Sequence, residues 1–347
     1  MKILITGKPN WFEKDCHSAI SYYRMLGPLA DIARRYKNVE VYESATGYAA
    51  EIQKVDLVFL HTPNNDVSLS AIFYAKKYRR KVWVDLDDMI FADDIPEANA
   101  AWTYFNDPKA IKILDASIKQ ADVISVSTQT IKKRLIERYG IEENRIWVIH
   151  NAIPDDIWQS RSKFQHIGLN DVKRVVWRGS FTHEGDLLLY RNGIKPHAKL
   201  GYVFIGLNPW LLLKKYGGHL QKGDFIHNQW VKPVEKYLEL FQSLHPHFVF
   251  VPLEENDFNR GKSNIAWLEG TFAGGACIAQ SSMPEFAKVP TIQFSSIKSL
   301  DGLLKNAASN KLNDVRFERY TESKALIERK YLLSQTNELR MKLINSL

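Results

Sequence analysis

Along the first half of the chain, short apolar runs alternate with longer stretches whose apolar positions recur at helical spacing. "KILITG", "VEVYES", "VDLVFLHT", "KVWVDLD", "DVISVST" and "IWVIHNA" read as strands. Between them "YYRMLGPLADIARRY", "SLSAIFYAKKY", "PKAIKILDASIKQA" and "TIKKRLIERYG" read as helices. Apolar strands separated by helices of ten or more residues argue for parallel βαβ units in a doubly wound sheet. The second half repeats the scheme, with strands "RVVWRGS", "GYVFIGL", "DFIHNQW", "HFVFVPL", "ACIAQS" and "TIQFSS". A polar, aperiodic stretch from Pro154 to Asp171 separates the halves and reads as a linker. The pattern therefore predicts an α/β chain of two Rossmann-like, doubly wound domains facing a cleft. The first takes residues 1–160 and the second 171–325, and a C-terminal helix at about 326–347 crosses back to the first domain.

One helix stands out. If it runs from about Lys262 to Phe272, then Ile265, Leu268 and Phe272 form its core-facing stripe, and Glu269, four residues after Ile265, lies on that stripe. An unpaired buried carboxylate costs several kcal/mol, so Glu269 needs a partner or a wet cleft. Lys262 shares nearly the same azimuth two turns earlier. Gly261, Lys262 and Ser263 at a helix start suit a phosphate, because free backbone NH groups and the helix dipole attract anions. An internal ion pair or a snorkelling surface glutamate accounts for the same pattern.

Composition narrows the partners. Forty-seven Lys plus Arg against thirty-nine Asp plus Glu give a net charge of +8, which favours an anion: a nucleotide, a nucleic acid or an anionic membrane surface. The densest run, "AKKYRRK" from Ala75 to Lys81, sits where a helix ends, and cations there are favourable without any ligand. No apolar run approaches the ~20 residues of a membrane span, and "MKILITG" reads as a first strand rather than a signal peptide. The two cysteines, Cys16 and Cys277, lie far apart with no metal-ligand spacing, so reduced thiols in a cytoplasmic protein and no structural metal are expected.

Ligands of such sheets bind outside the strand C-termini. Those ends carry "GKPNWFEKDCHSAISYYR", "HTPNND" and "DLDDMIF" in the first half, and "WRGSFTHEGD" and "PLEENDFNRGKS" in the second. Together "ADVISVST", "IWVIHNAI", "WRGSFTHEGD" and "PLEENDFNRGKSNIAWLEGTFAGGACIA" resemble the retaining glycosyltransferases of the GT-B fold, the group related to glycogen synthase, over roughly Ala121 to Pro284.

The resemblance implies transfer of a sugar from a UDP- or GDP-sugar to an acceptor hydroxyl, with retention and with no metal or other cofactor. It implies that Glu269 binds the ribose and that Arg178 and Lys262 hold the diphosphate. Gly179, Ser180, Glu254, Asn259 and Ser263 complete the donor set. Three features depart from the pattern: the glutamate that usually stands eight positions before Glu269 is replaced by Gly261, leaving Glu254 or Glu255 to serve; the usual second basic residue shortly after "RG" is absent, leaving "SFTHEGD"; and no glycine-rich loop follows the first strand.

For the chemistry, Asp87, Asp88 and His183 are the candidates. Asp85, Tyr22, Tyr23 and Arg24 are the candidates for holding the acceptor. "DLDD" also fits a metal-binding acidic motif or a helix N-cap. Trp230 and Tyr237 could flank a nucleobase or simply pack. The expected acceptor is a saccharide or lipid-linked saccharide; hydroxymethylated DNA is the second choice, and a peripheral contact with an anionic membrane fits the charge. A non-catalytic nucleotide-sugar-binding module and a nucleotide-sugar epimerase of similar architecture are the competing classes.

Overall fold

The computed structural model describes residues 1–7, 18–95, 97, 102, 106–168 and 170–347. Cys16 and most of the loop after the first strand, 8–17, lie outside the described residues.

Among the described residues, twelve strands form two six-stranded sheets. The first contains β1 (Lys2–Thr6), β2 (Glu40–Glu43), β3 (Leu57–His61), β4 (Lys81–Leu86), β5 (Val123–Val126) and β6 (Ile146–Val148), in the order β2-β1-β3-β4-β5-β6. The second contains β7 (Lys173–Gly179), β8 (Leu200–Gly206), β9 (Phe225–Asn228), β10 (Phe248–Val251), β11 (Ala276–Gln280) and β12 (Ile292–Phe294), in the order β12-β11-β10-β7-β8-β9. Every neighbouring pair is parallel. The central strands β3, β5, β10 and β11 are buried at every position, as expected where helices cover both faces of a sheet. The fold class read from the sequence is the one observed.

Two predicted helices are cut differently. "YYRMLGPLADIARRY" is divided at Met25, whose backbone (φ −113°, ψ −97°) is not helical, into Ala19–Arg24 and Leu26–Arg35. The helix expected from Lys262 begins at Ile265; Lys262 and Ser263 occupy the preceding loop, after a short turn of helix Asp257–Arg260. Lys262 and Glu269 therefore do not share one helix face. Residues Ala266 to Phe272 are all buried, because this helix lies between its own sheet and the long helix Asn313–Lys330. Trp267, on its far side, donates from Nε1 to Ser323 Oγ at 2.8 Å.

The chain ends as two helices separated at Tyr331. Asn313–Lys330 packs on the second sheet, and Leu333–Asn345 returns to the first, where Asn337 Nδ2 donates to Pro28 O at 3.1 Å and to Asp31 Oδ2 at 2.9 Å.

Candidate active site

The strand C-termini of both sheets face one cavity of about 190 Å³. That is smaller than the ~300 Å³ and upward of sites that bury a drug-sized ligand. Among its lining residues, Arg178 is paired with Glu269, His183 with Asp186 and Lys262 with Asp88.

Glu269, 3 % exposed, receives three partners. Tyr23 donates from its hydroxyl to Oε1 at 3.0 Å, Tyr237 donates to Oε2 at 2.9 Å, and Arg178 Nη2 stands 2.9 Å from Oε2. Burial, reinforced by the Glu269 charge, pushes both tyrosine hydroxyls well above their ordinary range, so they stay protonated donors. Burial works against the Arg178 cation, but Glu269 outweighs it and holds the guanidinium firmly charged. Arg178 Nε is buried and has no hydrogen-bond partner among the described residues, leaving a donor for an anion in the cavity. Trp230 stacks on Tyr237 with ring centroids 4.9 Å apart, so the two aromatics form one wall.

Tyr23 belongs to the first half of the chain, and its neighbour Arg24 turns the other way. Arg24 is 2 % exposed and forks onto Asp85, with Nε to Oδ2 at 3.0 Å and Nη2 to Oδ1 at 2.5 Å. Ser125 Oγ also donates to Asp85. One short helix thus ties its own sheet and Glu269 of the other half together.

The loop after β4 carries the remaining acids. His61 Nε2 lies 3.0 Å from Asp87 Oδ1. Burial would raise the Asp87 carboxyl, but His61, Arg24 and Lys262 together hold it well below the usual carboxylate range. Thr62, next to His61, has φ 47°, a left-handed conformation that is rare for a β-branched residue and costs roughly 1–3 kcal/mol. Asp88 Oδ2 accepts from Lys262 Nζ at 3.0 Å across the cleft.

That contact is one of several by which the first half grips the loop 257–263. Asp94 accepts from Asp257 N at 2.6 Å and Phe258 N at 3.3 Å, Arg134 pairs with Asp257, and Thr128 Oγ1 donates to Gly261 O at 3.2 Å. Asn151 Nδ2 donates to Ser263 Oγ at 2.8 Å. A Cβ on Gly261 would lie 2.8 Å from Met89 Cβ, so no side chain fits where a glutamate was expected.

Of the residues singled out from sequence, Tyr23, Arg24, Asp87, Asp88, Arg178, His183, Lys262, Ser263 and Glu269 line the cavity. Tyr22, Asp85, Gly179, Ser180, Glu254 and Asn259 do not. Asp85 is committed to Arg24. Gly179 makes room for Trp177, whose ring carbons would stand 2.7 Å from an added Cβ. Ser180 caps the turn Phe181–His183. Asn259 Nδ2 and the Glu254 backbone N each donate to Asp186 Oδ1 at 2.8 Å, while Asp186 Oδ2 sits 2.8 Å from His183 Nδ1. Asp186 therefore organises the loop and orients His183. Asn151 and Met89 carry no sequence signal stronger than a polar or apolar residue near a strand end, whereas His61 is a histidine at the end of a strand.

The carboxylates of "DLDD" are paired with Arg24, His61 and Lys262, and no group of three or more His, Cys, Asp or Glu among the described residues could hold a metal ion. The cluster Lys76 to Lys81 lies at the other end of β4, roughly 15–20 Å from the cavity along the strand. No helix among the described residues is long and apolar enough to cross a membrane.

Residues 19–157 match the family described as Glycosyltransferase Family 4. No curated protein matches the chain in sequence. Among solved structures, Anabaena HepE in complex with UDP-glucose superposes with a TM-score of 0.69 at 10 % identity, over 100 % of both chains. The lipopolysaccharide outer core galactosyltransferase WaaB superposes with 0.64 at 12 % identity, again over 100 % of both. An α-glucosyltransferase in complex with UDP-glucose and DNA containing an abasic site gives 0.64 at 12 % identity, over 99 % of this chain and 98 % of that one. The chain thus has the two-domain GT-B fold of these glycosyltransferases, and its first half, over residues 19–157, matches the Glycosyltransferase Family 4 model.

Proposed function

We propose that the protein is a glycosyltransferase that takes a sugar from a nucleoside diphosphate sugar and passes it, with retention and without a metal, to a hydroxyl of a saccharide or lipid-linked saccharide. The observation that carries this reading is the pair of cations, Arg178 and Lys262, that face one cavity at the C-terminal ends of both sheets, opposite Asp87 and Asp88.

A leaving diphosphate gathers negative charge as the glycosidic bond breaks, and fixed cations aimed at it stabilise that charge without reorganisation. The free Arg178 Nε and the Lys262 ammonium supply it, the latter after exchanging Asp88 for phosphate oxygens. Glu269 accepts the ribose hydroxyls, and the Trp230–Tyr237 wall receives the base. Release of Asp88 from Lys262 leaves a carboxylate facing the sugar that can orient or deprotonate the acceptor hydroxyl, while Asp87, kept ionised by its neighbours, can orient it as a hydrogen-bond acceptor. His183, fixed by Asp186, lies on the donor side of the cavity.

Known structures with this fold are solved with UDP-glucose and, in one case, with UDP and DNA containing a hydroxymethyluracil base, which keeps a modified base as the second acceptor. The distance of the Lys76–Lys81 cluster from the cavity favours the saccharide. Incubation with UDP- and GDP-sugars plus a saccharide pool tests the reading. Labelled sugar must appear on an acceptor with its anomeric configuration kept; an epimerised donor with no transfer, or binding without turnover, would replace it by one of the competing classes.

A further inference from the structure

Strand β3 runs through Leu57, Val58, Phe59 and Leu60 and ends on His61, its one polar residue, whose side chain is 1 % exposed. A buried imidazole costs free energy unless its nitrogens find partners, and an apolar residue would fill the same place without that cost. His61 Nε2 stands 3.0 Å from Asp87 Oδ1 and 3.7 Å from Asp85 Oδ2. A lone pair facing two carboxylates would be repelled, so Nε2 carries the hydrogen and presents it to Asp87. Asp85 does not need it, because Arg24 and Ser125 already donate to that carboxylate. The register of β3 against β4 sets His61 beside Asp85, and Asp87 follows just past the end of β4. The chain leaves β3 through the left-handed Thr62, whose backbone N donates to Asp85 O at 2.9 Å and pins the strand end at the histidine.

Asp87 reaches the cavity, whereas His61 lies behind it and does not line it. With Oδ1 against His61, Oδ2 is the oxygen left for a ligand. Asp88 is held from across the cleft by Lys262, Asp87 from behind by a residue of its own sheet. We infer that His61 is a positioning residue for the transfer: it fixes the Asp87 carboxylate so that the oxygen facing the cavity meets the acceptor hydroxyl in one orientation. The inference rests on the transferase reading above, in which Asp87 orients that hydroxyl. Misorientation of a reacting group is felt in turnover rather than in binding of the donor. A histidine that only filled the core would act on stability, with no link to Asp87.

Steady-state transfer, donor titration by calorimetry and thermal melting of His61→Leu, His61→Gln, Asp87→Asn and the double variant His61→Leu, Asp87→Asn test it. His61→Leu should lower kcat by about tenfold to a hundredfold and leave donor affinity within about twofold. His61→Gln, whose amide nitrogen extends towards the same oxygen, should recover most of that loss. In the Asp87→Asn background His61→Leu should lower kcat no further, because a residue that acts through Asp87 then has nothing left to position. Should His61→Leu fail to fold, the polar but shorter His61→Asn takes its place in the cycle. Unchanged kcat in the folded single variant, losses that multiply in the double variant, or a His61→Gln as impaired as His61→Leu would overturn the inference. A wild-type protein that transfers no sugar would instead remove the reading on which it rests, and the inference with it.

Discussion

The Tyr23 hydroxyl donates to Glu269 Oε1 at 3.0 Å, joining residues 246 positions apart in sequence and on opposite sides of the cleft. Glu269 is thus both a cavity-lining carboxylate and the centre of a buried network with Arg178 and Tyr237. The internal ion pair weighed from sequence exists, and it sits on the cavity wall.

Glu269→Gln should therefore act on stability and binding together. The amide keeps the shape but can accept from only one of the two tyrosine hydroxyls, and it leaves Arg178 buried without its counter-charge, costing about 3–5 kcal/mol. Nucleotide affinity should fall by about tenfold or more. Chemical denaturation with calorimetric titration of the folded variant checks both. A destabilised variant that binds nucleotide as well as wild type would confine Glu269 to a structural role.

Lys262 offers the cleaner kinetic test, since its pair with Asp88 is partly exposed and worth little to the fold. Lys262→Ala should lower kcat by roughly 10²–10³ while changing donor affinity much less, because its contact strengthens as leaving-group charge develops. Arg178→Lys keeps the charge but loses the fork and should lower turnover similarly. Arg178→Ala is a poor probe, since it strands a buried carboxylate at about 3–5 kcal/mol. Steady-state kinetics showing unchanged turnover in both Lys262→Ala and Arg178→Lys would remove the diphosphate assignment.

Activity should survive EDTA. Each acid of "DLDD" faces a base, Asp85 with Arg24, Asp87 with His61 and Asp88 with Lys262, and the cations of the cavity already provide the charge a metal would bring. Turnover abolished by chelation and restored by magnesium or manganese would make the acidic loop a metal site.

Stability should fall as pH drops from about 6.5 towards 4. Burial, with Arg316, Arg174 and Lys173 nearby, holds His247 down to about 4, and its Nδ1 accepts from the Arg174 backbone N at 2.9 Å. The folded imidazole is neutral in that window while the unfolded one is protonated. The unfolded chain binds the extra proton, so acid favours unfolding. His247→Asn, whose side-chain oxygen can accept the same bond, should flatten that part of the melting-temperature profile; an unchanged profile would assign the acid sensitivity elsewhere.

The sheets were legible because buried parallel strands are short apolar runs between helices, a local pattern. What stayed hidden depends on contacts between distant segments. The helix starts late, at Ile265, after a loop in which Gly261 packs on Met89, 172 positions away, and its all-round burial comes from the return of the helix Asn313–Lys330. Arg178, Lys262 and Glu269 were reached through a motif, and all three line the cavity. Arg24 and Asp85, read as acceptor ligands, are spent on each other, a pairing that strand-end position alone cannot show. His61 is one of several histidines that end strands, and only the pairing of β3 with β4 sets it against Asp87.

Titration of the protein with UDP, GDP and their sugars, followed by calorimetry and thermal melting, tests the central claim most directly. A ligand of the folded state at about 100 times its Kd adds roughly 2.7 kcal/mol of stability. At least one nucleoside diphosphate sugar should bind and raise the melting temperature, and Lys262→Ala and Glu269→Gln should weaken that response. No binding by any nucleoside diphosphate or its sugar, or binding that both variants leave unchanged, would contradict the account.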